Sequence, residues 1–126
     1  MRRVLLAAGL AAALALAPGA AAKYRITLTL TTQQPRVGQL VLVSLRTDVP
    51  ADQAGTLRLV AVPPGMSIYA ALRTEERHRL PLVRIGDRWA ANIRFSRPGR
   101  SRLVVPNWGA PGYAIPPPVV RVVRVR

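Results

Sequence analysis

The sequence predicts an all-β fold: an antiparallel, immunoglobulin-like β-sandwich of seven to eight strands. Two observations predict it, namely short segments in which apolar and polar residues alternate, and the glycine, proline and aspartate residues that separate those segments. Period-two alternation places apolar side chains on one face of a strand, which is typical of a half-buried sheet. Turn residues that recur at roughly eight- to twelve-residue intervals favour a sandwich over a helical fold.

The first 22 residues precede that domain and predict a signal peptide helix. They begin with a positively charged arginine pair, residues 4–17 contain no polar side chain, and the segment closes with small residues that include Ala20 and Ala22. A charged start, an apolar stretch and a small-residue cleavage site are the three parts of a bacterial secretory signal. We therefore expect cleavage after Ala22 and export to the periplasm or the extracellular space.

Cleavage would leave one domain, residues 23–126, without a transmembrane span. The alternative is that the N-terminal segment stays in the membrane as an anchor. A spanning helix needs about 20 consecutive apolar residues, and Pro18 and Gly19 interrupt the run before that length is reached. The length of the apolar run therefore favours cleavage.

The strands of the mature domain are predicted from apolar patterning and from the turns between them. Alternating or continuous apolar residues mark seven segments: 24–32, 39–47, 56–62, 79–85, 88–95, 101–105 and 119–126. Pro81 lacks a backbone N–H, so the fourth segment is predicted to lie at a sheet edge. Gly86 and Asp87 predict a tight hairpin. In the strand that follows, Trp89 and Phe95 are expected to face the core.

Residues 66–78 are ambiguous. Ile68, Ala70 and Leu72 alternate as in a strand, whereas the same residues followed by two glutamates are compatible with a short helix. We expect a short strand or an irregular crossover, because predicted strands flank the segment on both sides.

Composition restricts the functions that are open to the chain. It has no cysteine, so it contains no disulfide, thiolate nucleophile or thiolate metal ligand. Its formal net charge is +14, and removal of Arg2 and Arg3 with the signal peptide lowers this to +12. Such a surface attracts polyanions, for example anionic lipid headgroups or acidic envelope polymers. The alternative is an arginine excess that only keeps a small domain in solution.

No catalytic set is recognisable, and we predict that the protein is not an enzyme. His78 is the only histidine, and its neighbours Arg77 and Arg79 supply no carboxylate to orient it as a base. Glu75 and Glu76 are adjacent, so they point in different directions and do not form an acid–base pair. The sequence also lacks a glycine-rich phosphate loop and a motif for specific nucleic-acid recognition.

Two motifs give the chain a family resemblance. The first is Pro35-x-x-Gly38 before an alternating strand, and the second is Gly86-Asp87-Arg88-Trp89 before a strand and Pro98-Gly99. This pattern, over residues 24–105, resembles the YtkA-like and FixH-like exported β-sandwich domains, which are relatives of immunoglobulin-like copper-handling proteins. The resemblance implies an exported immunoglobulin-like domain and, as an alternative function, copper handling through Met66 and His78.

Residues 106–118 form a connector that is rich in proline and contains Asn107, Trp108 and Tyr113. No strand periodicity assigns these side chains to a core, and long connectors in compact domains are often functional. We predict that the three residues bind a partner protein of the envelope; the alternative is that the connector folds back and caps the sandwich.

A second predicted surface is a positively charged strip that binds polyanions. It depends on the last strands being neighbours, as in immunoglobulin-type sheets. Its members are Arg94, Arg97, Arg100, Arg102, Arg121, Arg124 and Arg126. The sequence thus favours an exported, non-catalytic binding or accessory domain of the bacterial cell envelope, with copper handling and arginine-mediated polyanion binding as alternatives.

The signal-peptide prediction is tested on protein secreted by a bacterial host. We expect the mature chain to begin at Lys23, because Ala20 and Ala22 fit the small-residue cleavage site. Intact-mass measurement and N-terminal sequencing check the start. Exported material that retains Met1 would contradict the prediction and indicate an anchor.

Overall fold

The computed structural model describes residues 25–48, 57–106 and 118–126. Within these ranges the chain forms eight β-strands, one α-helix and one 3₁₀ turn. In chain order they are β1 (Ile26–Leu30), β2 (Leu40–Thr47), β3 (Leu59–Val62), α1 (Ile68–Arg73), the 3₁₀ turn (Glu75–Arg77), β4 (Arg79–Leu80), β5 (Val83–Ile85), β6 (Arg88–Arg94), β7 (Gly99–Val105) and β8 (Val119–Val125). The predicted signal peptide lies outside the described residues.

The strands form two antiparallel four-stranded sheets packed as a sandwich. Sheet A has the order β1-β2-β6-β5, and sheet B has the order β4-β3-β7-β8. This matches the ABED and CFG sheets of an immunoglobulin-type domain, with one further strand beside strand C. The predicted all-β sandwich of seven to eight strands is therefore confirmed, and β7 and β8 are neighbours as expected.

The core between the sheets comes from the alternation that predicted the strands. On β2, the side chains of Val41, Val43 and Leu45 are fully buried. Opposite them, sheet B contributes fully buried residues that include Leu59 and Leu103. Each such aliphatic side chain contributes about 1.5–3 kcal/mol by leaving water, so this core supplies the main force that holds the sheets together.

The inward face predicted for β6 is confirmed, with one difference. Phe95, directly after the strand, is buried in the core, whereas Trp89 is only half-buried. Trp89 pairs with Leu45 in the sheet register, and the guanidinium of Arg84 lies 5.7 Å from the centre of its ring. Because β5 is the edge strand beside it, one side of the indole stays open to solvent.

The expectation of a strand or irregular crossover over residues 66–78 is wrong, because α1 occupies this segment. The Ser67 hydroxyl accepts a hydrogen bond from the Ala70 N–H at 3.0 Å and caps the helix at its N-terminus. Ala71 is buried, with Ile68 and Leu72 beside it, against the outer face of sheet B. These three positions follow helical spacing, so Ile68 and Leu72, which also fit strand alternation, form an apolar helix face together with Ala71.

Residues 79–85 form two strands rather than the single strand that was predicted. β4 pairs with β3 in sheet B, and β5 pairs with β6 in sheet A. The chain crosses between the sheets at Pro81, which has no N–H to donate to either ladder. Both pieces are edge strands, so the predicted edge position is confirmed.

Three turns and the C-terminal residue meet at one end of the sandwich, which we call the turn end. The turns are residues 31–39, 63–66 and 95–98. Gly38 donates its N–H to the Phe95 carbonyl at 2.9 Å, and Arg126 donates its N–H to the Pro35 carbonyl at 2.9 Å. These backbone bonds link the β1–β2 turn to both sheets and fix the positions of the arginines described below.

A matched pair of glycine variants tests the packing of the turn end. Gly99 has a φ of 120°, and a Cβ at this position would lie 3.3 Å from the Cβ of Pro64. Gly38 also has a positive φ, 81°, but a Cβ there would meet nothing within 4 Å. We expect Gly99→Ala to lower the free energy of unfolding by about 2–3 kcal/mol, and Gly38→Ala by about 1–2 kcal/mol.

Chemical denaturation of both variants measures the difference. Equal losses would show that the close approach of Pro64 contributes nothing beyond backbone strain.

Candidate functional site

A cleft of about 430 Å³ opens between the two sheets at the turn end. Its walls come from β3 and the turn after it, from β4 with the preceding turn, and from the end of β6 with the turn that leads to β7. The lining residues are Ala61, Val62, Pro63, Pro64, Arg77, His78, Arg79, Leu80, Ile93, Arg94, Phe95, Ser96, Arg97 and Ser101. The volume lies within the range of small-ligand sites in proteins.

The cleft lining is strongly basic. Four arginines and the single histidine contribute side chains or backbone to it, and the lining contains no aspartate or glutamate. The rest of the lining is mainly apolar or proline, and it includes the buried side chains of Ile93 and Phe95. Cations around a weakly polar wall attract an anion more strongly than the same cations on an open surface, because the wall screens their field less.

Two of the arginines are held by backbone carbonyls. Arg94 donates from Nη1 to the Gly38 carbonyl oxygen at 2.7 Å, and Arg97 donates from Nη2 to the Pro64 carbonyl oxygen at 2.8 Å. A guanidinium has five N–H donors, so each side chain is oriented by one bond and keeps donors for a ligand. The turns of the turn end therefore position the cations.

The positive charge of Arg79 is partly neutralised by Glu75, which lies outside the cleft lining. Its Nη2 lies 3.0 Å from Oε2 of Glu75, and the same oxygen lies 2.8 Å from Nε of Arg58. The Glu75 side chain is only 15% exposed, which makes this carboxylate the centre of a small ion network. The Arg77 guanidinium, in contrast, has no ion-pair partner among the described residues.

Met66 and His78 lie in different environments. The half-buried Met66 packs against Val60, Val62 and Ala71 under α1 and does not line the cleft. His78 is half-buried and lines the cleft, and its carbonyl accepts the Ala61 N–H at 2.9 Å. Within the described ranges there is no group of three histidine, aspartate or glutamate side chains that could hold a metal ion. The copper alternative stays a prediction of the sequence.

The seven arginines predicted to form one strip are distributed over several surfaces. Arg94 and Arg97 line the cleft. Arg100 and Arg124 are cross-strand neighbours on the outer face of sheet B, and Arg126 lies beside Pro35 at the turn end. A single strip does not form because β6 belongs to the other sheet and because successive side chains of a strand point to opposite faces.

The two remaining members of the predicted strip are structural. Arg102 is half-buried and donates from Nη2 to the Met66 carbonyl, which ties β7 to the loop before α1. Arg121 donates from Nη1 to the Leu28 carbonyl at 3.1 Å and from Nη2 to Oε1 of Gln33 at 2.6 Å. These contacts fasten β8 to the edge of sheet A. The predicted partner-binding residues Asn107, Trp108 and Tyr113 lie outside the described residues, so that prediction stays open.

Sequence reasoning missed the contribution of Arg77, Arg79 and the proline pair 63–64 to the cleft. They come together with Arg97 through contacts between segments that are distant in sequence, as in the hydrogen bond between Arg97 and Pro64, which are 33 residues apart. The only signal was a recurring motif: a proline-glycine turn, Pro64-Gly65 and Pro98-Gly99, follows both β3 and β6. The turns meet where Gly99 approaches Pro64.

Comparisons with known proteins add no relative. No protein-family model matches the chain, and no curated protein or solved structure is significantly similar to it. The resemblance to YtkA-like and FixH-like domains therefore stays a prediction. Among the helices that the structure describes, none has the length and apolar character needed to cross a membrane.

The ion network behind the cleft gives a testable difference between adjacent glutamates. Glu75→Gln removes the charge that Arg58 and Arg79 share, and should lower the free energy of unfolding by about 1–3 kcal/mol. Glu76→Gln, at the exposed neighbouring position, should change it by less than about 0.5 kcal/mol. Urea denaturation at neutral pH measures both variants; equal effects would show that the network does not stabilise the fold.

Proposed function

We propose that this protein is an exported, non-catalytic binding or accessory domain of the bacterial cell envelope, and that it binds an anionic ligand in the cleft at the turn end. The observation that carries the proposal is the composition of the cleft: four arginines and a histidine line it, without a carboxylate. Export rests on the predicted signal peptide of residues 1–22.

The distribution of the described carboxylates supports the cleft at the turn end as the site that binds the anion. Asp48 and Asp87 lie at the opposite end of the sandwich, where they share a depression with Arg25 and Arg46. Glu75 is occupied by two arginines outside the cleft. The far end of the described sandwich therefore carries charges of both signs, whereas the cleft at the turn end is basic, and an approaching anion would be steered to the cleft rather than to the far end.

The cleft favours an extended anion with several charged groups. Its arginines come from four separate places, the 3₁₀ turn, β4, the end of β6 and the turn after β6. One small anion would not contact all of them, whereas a polymer or a clustered set of headgroups would. Guanidinium groups bind phosphate and carboxylate oxygens with paired, charge-assisted hydrogen bonds. Pro63, Pro64 and the apolar wall offer contact area for the uncharged part of such a ligand.

The side chains of the cleft support binding rather than catalysis. His78 lies between two arginines in sequence, and the lining contains no carboxylate to act as its acid or base partner. Glu75 lies outside the cleft lining and is held by Arg58 and Arg79. An acid–base mechanism needs a positioned proton donor and acceptor within reach of the same substrate atom.

Heparin, used as a soluble model polyanion, tests the proposal with two variants of equal charge. Arg77→Gln/Arg97→Gln removes two cations of the cleft, and Arg100→Gln/Arg124→Gln removes two exposed cations from sheet B. We expect the first variant to bind heparin about tenfold more weakly and to show a shallower salt dependence, because fewer counterions are released. The second should stay close to the parent protein.

Melting temperatures of both variants confirm that the fold is kept. Equal losses of affinity would show that net charge alone attracts the polyanion, and no binding by the parent protein would overturn the proposed function.

A further inference from the structure

The outer face of sheet A carries a group of exposed aliphatic side chains. Leu40 and Leu42 on β2, together with Val83 and Ile85 on β5, are between 40% and 60% exposed. Leu40 and Leu42 point away from the core because their neighbours Val41 and Val43 point into it. Val83 and Ile85 lie on the same outer face, because they pair with Ala90 and Arg88, which pair with Ser44 and Arg46 on β2. The described residues leave this apolar face uncovered.

The face is shaped as a shallow groove. Ala90 on β6 forms its floor and pairs with Val83 on one side and Ser44 on the other. The larger side chains of Leu42, Val83 and Ile85 flank it as walls together with Pro81, and Asn92 follows Ala90 on the same face of β6. The small side chain of Ala90 leaves a depression among these larger ones, and Arg88 and Asn92 lie before and after it on the same face of β6.

The width of the groove fits an α-helix. The walls stand on β2 and β5, which flank β6, so they are two strand spacings apart, about 9.6 Å. A helix with its side chains is about 10–12 Å across, and it could place one apolar face over the alanine floor while contacting both walls.

The same domain already covers its other outer face in this way. On sheet B, α1 packs Ile68, Ala71 and Leu72 over Val60 and its neighbours on β3 and β7. Sheet A has a comparable aliphatic surface, but no helix of the described chain lies on it. A helix from another protein, packed on sheet A, would give both outer faces of the sandwich a covering helix.

Charge determines which kind of helix would fit. At one end of the groove Arg46 and Arg88 are directly opposite each other on β2 and β6, and at the other end Arg94 pairs with Leu40. Asp87 lies 3.5 Å from Arg46 and is exposed. Like charges directly opposite each other destabilise a sheet. Asp87 balances only one of the two positive charges of Arg46 and Arg88, so a further acidic group placed near them would be favourable.

The separation of these charges sets the length of the partner segment. Arg88 and Arg94 are six residues apart on one strand, which corresponds to about 20 Å. A helix of that length has about 13 residues. Its apolar residues would contact the groove, and its acidic residues would lie near both ends.

We propose that the outer face of sheet A binds an amphipathic helix of a partner protein, one with an aliphatic face and acidic residues near each end. This site differs from the cleft at the turn end, with which it shares only Arg94. A second copy of the chain is disfavoured as the occupant, because it would bring its own arginines against Arg46, Arg88 and Arg94.

Two synthetic helical peptides of about 15 residues test the proposal. Both carry leucines at spacings of three and four residues; one has glutamates near its ends, and the other has lysines there. We expect the glutamate peptide to bind and to shift the amide NMR signals of Leu42, Val83 and Ala90. We expect the lysine peptide to leave those signals unchanged.

Charge reversal provides the decisive variant. Arg46→Glu/Arg88→Glu should weaken binding of the glutamate peptide about tenfold and allow the lysine peptide to bind. The matched control is Arg100→Glu/Arg124→Glu, which reverses the same number of charges at a cross-strand pair of sheet B. It should leave the preference for the glutamate peptide unchanged.

A second pair of variants tests the apolar contribution. Leu42→Thr/Val83→Thr reduces the aliphatic walls and places β-branched residues, which suit a strand, at both positions, and it should weaken binding of the glutamate peptide about tenfold. The control, Val120→Thr/Val122→Thr, changes two exposed residues of β8 and should have no effect on peptide affinity. Arg77→Gln/Arg97→Gln should also leave the peptide affinity unchanged, which separates this site from the cleft.

Several results would overturn the proposal. They are absence of binding by the glutamate peptide, equal binding of both peptides, and signal shifts confined to the cleft. Binding to phosphatidylglycerol vesicles that is lost in Leu42→Thr/Val83→Thr would identify a lipid surface as the occupant instead. A dimer in solution that the same variant dissociates would identify a second copy.

Discussion

The backbone hydrogen bonds at the turn end are the constraint on which the arrangement of this molecule depends. The bonds from Gly38 to Phe95 and from Arg126 to Pro35 join the β1–β2 turn to both sheets. Without them, the two sheets would be joined at this end mainly by the packing of their inner faces. With them, the end of β6, which carries Arg94, and the turn that carries Arg97 are held at fixed positions beside the loop of Pro64. The shape of the cleft therefore depends on the hydrogen bonds that join the turns of the two sheets at this end.

The arginines of this chain have different physical roles, which total charge does not distinguish. Arg102 and Arg121 are half-buried, and each donates to a backbone carbonyl of another segment. Arg58 and Arg79 share the carboxylate of Glu75. Such side chains are already engaged, and their charge contributes less to attraction at a distance. Arg77, without an ion pair among the described residues, and the partly engaged Arg94 and Arg97 have donors left to meet an anion.

The sequence predicted the fold well because a strand is a local pattern. Alternation placed Val41, Val43 and Leu45 on the inner face correctly, and Pro81 indicated an edge. α1 was missed because Ile68, Ala70 and Leu72 satisfy a two-residue period, while its stability comes from the Ser67 cap and from packing on sheet B. The cleft itself was not predicted, although three of its residues were named as candidates, Arg94 and Arg97 for polyanion binding and His78 for copper. Its remaining members meet through contacts distant in sequence, which periodicity does not encode.

Arg121 has a consequence for the behaviour of the domain at high concentration. Its guanidinium binds the Leu28 carbonyl of β1, the edge strand of sheet A, from β8, the edge strand of sheet B. An exposed strand edge is a template on which another chain can add and start aggregation. The side chain takes up a carbonyl that such a chain would need, and Pro81 interrupts the strands at the opposite edge. Both sides of the sandwich thus disfavour edge-to-edge polymerisation, a useful property for a domain that has no disulfide to prevent its opening.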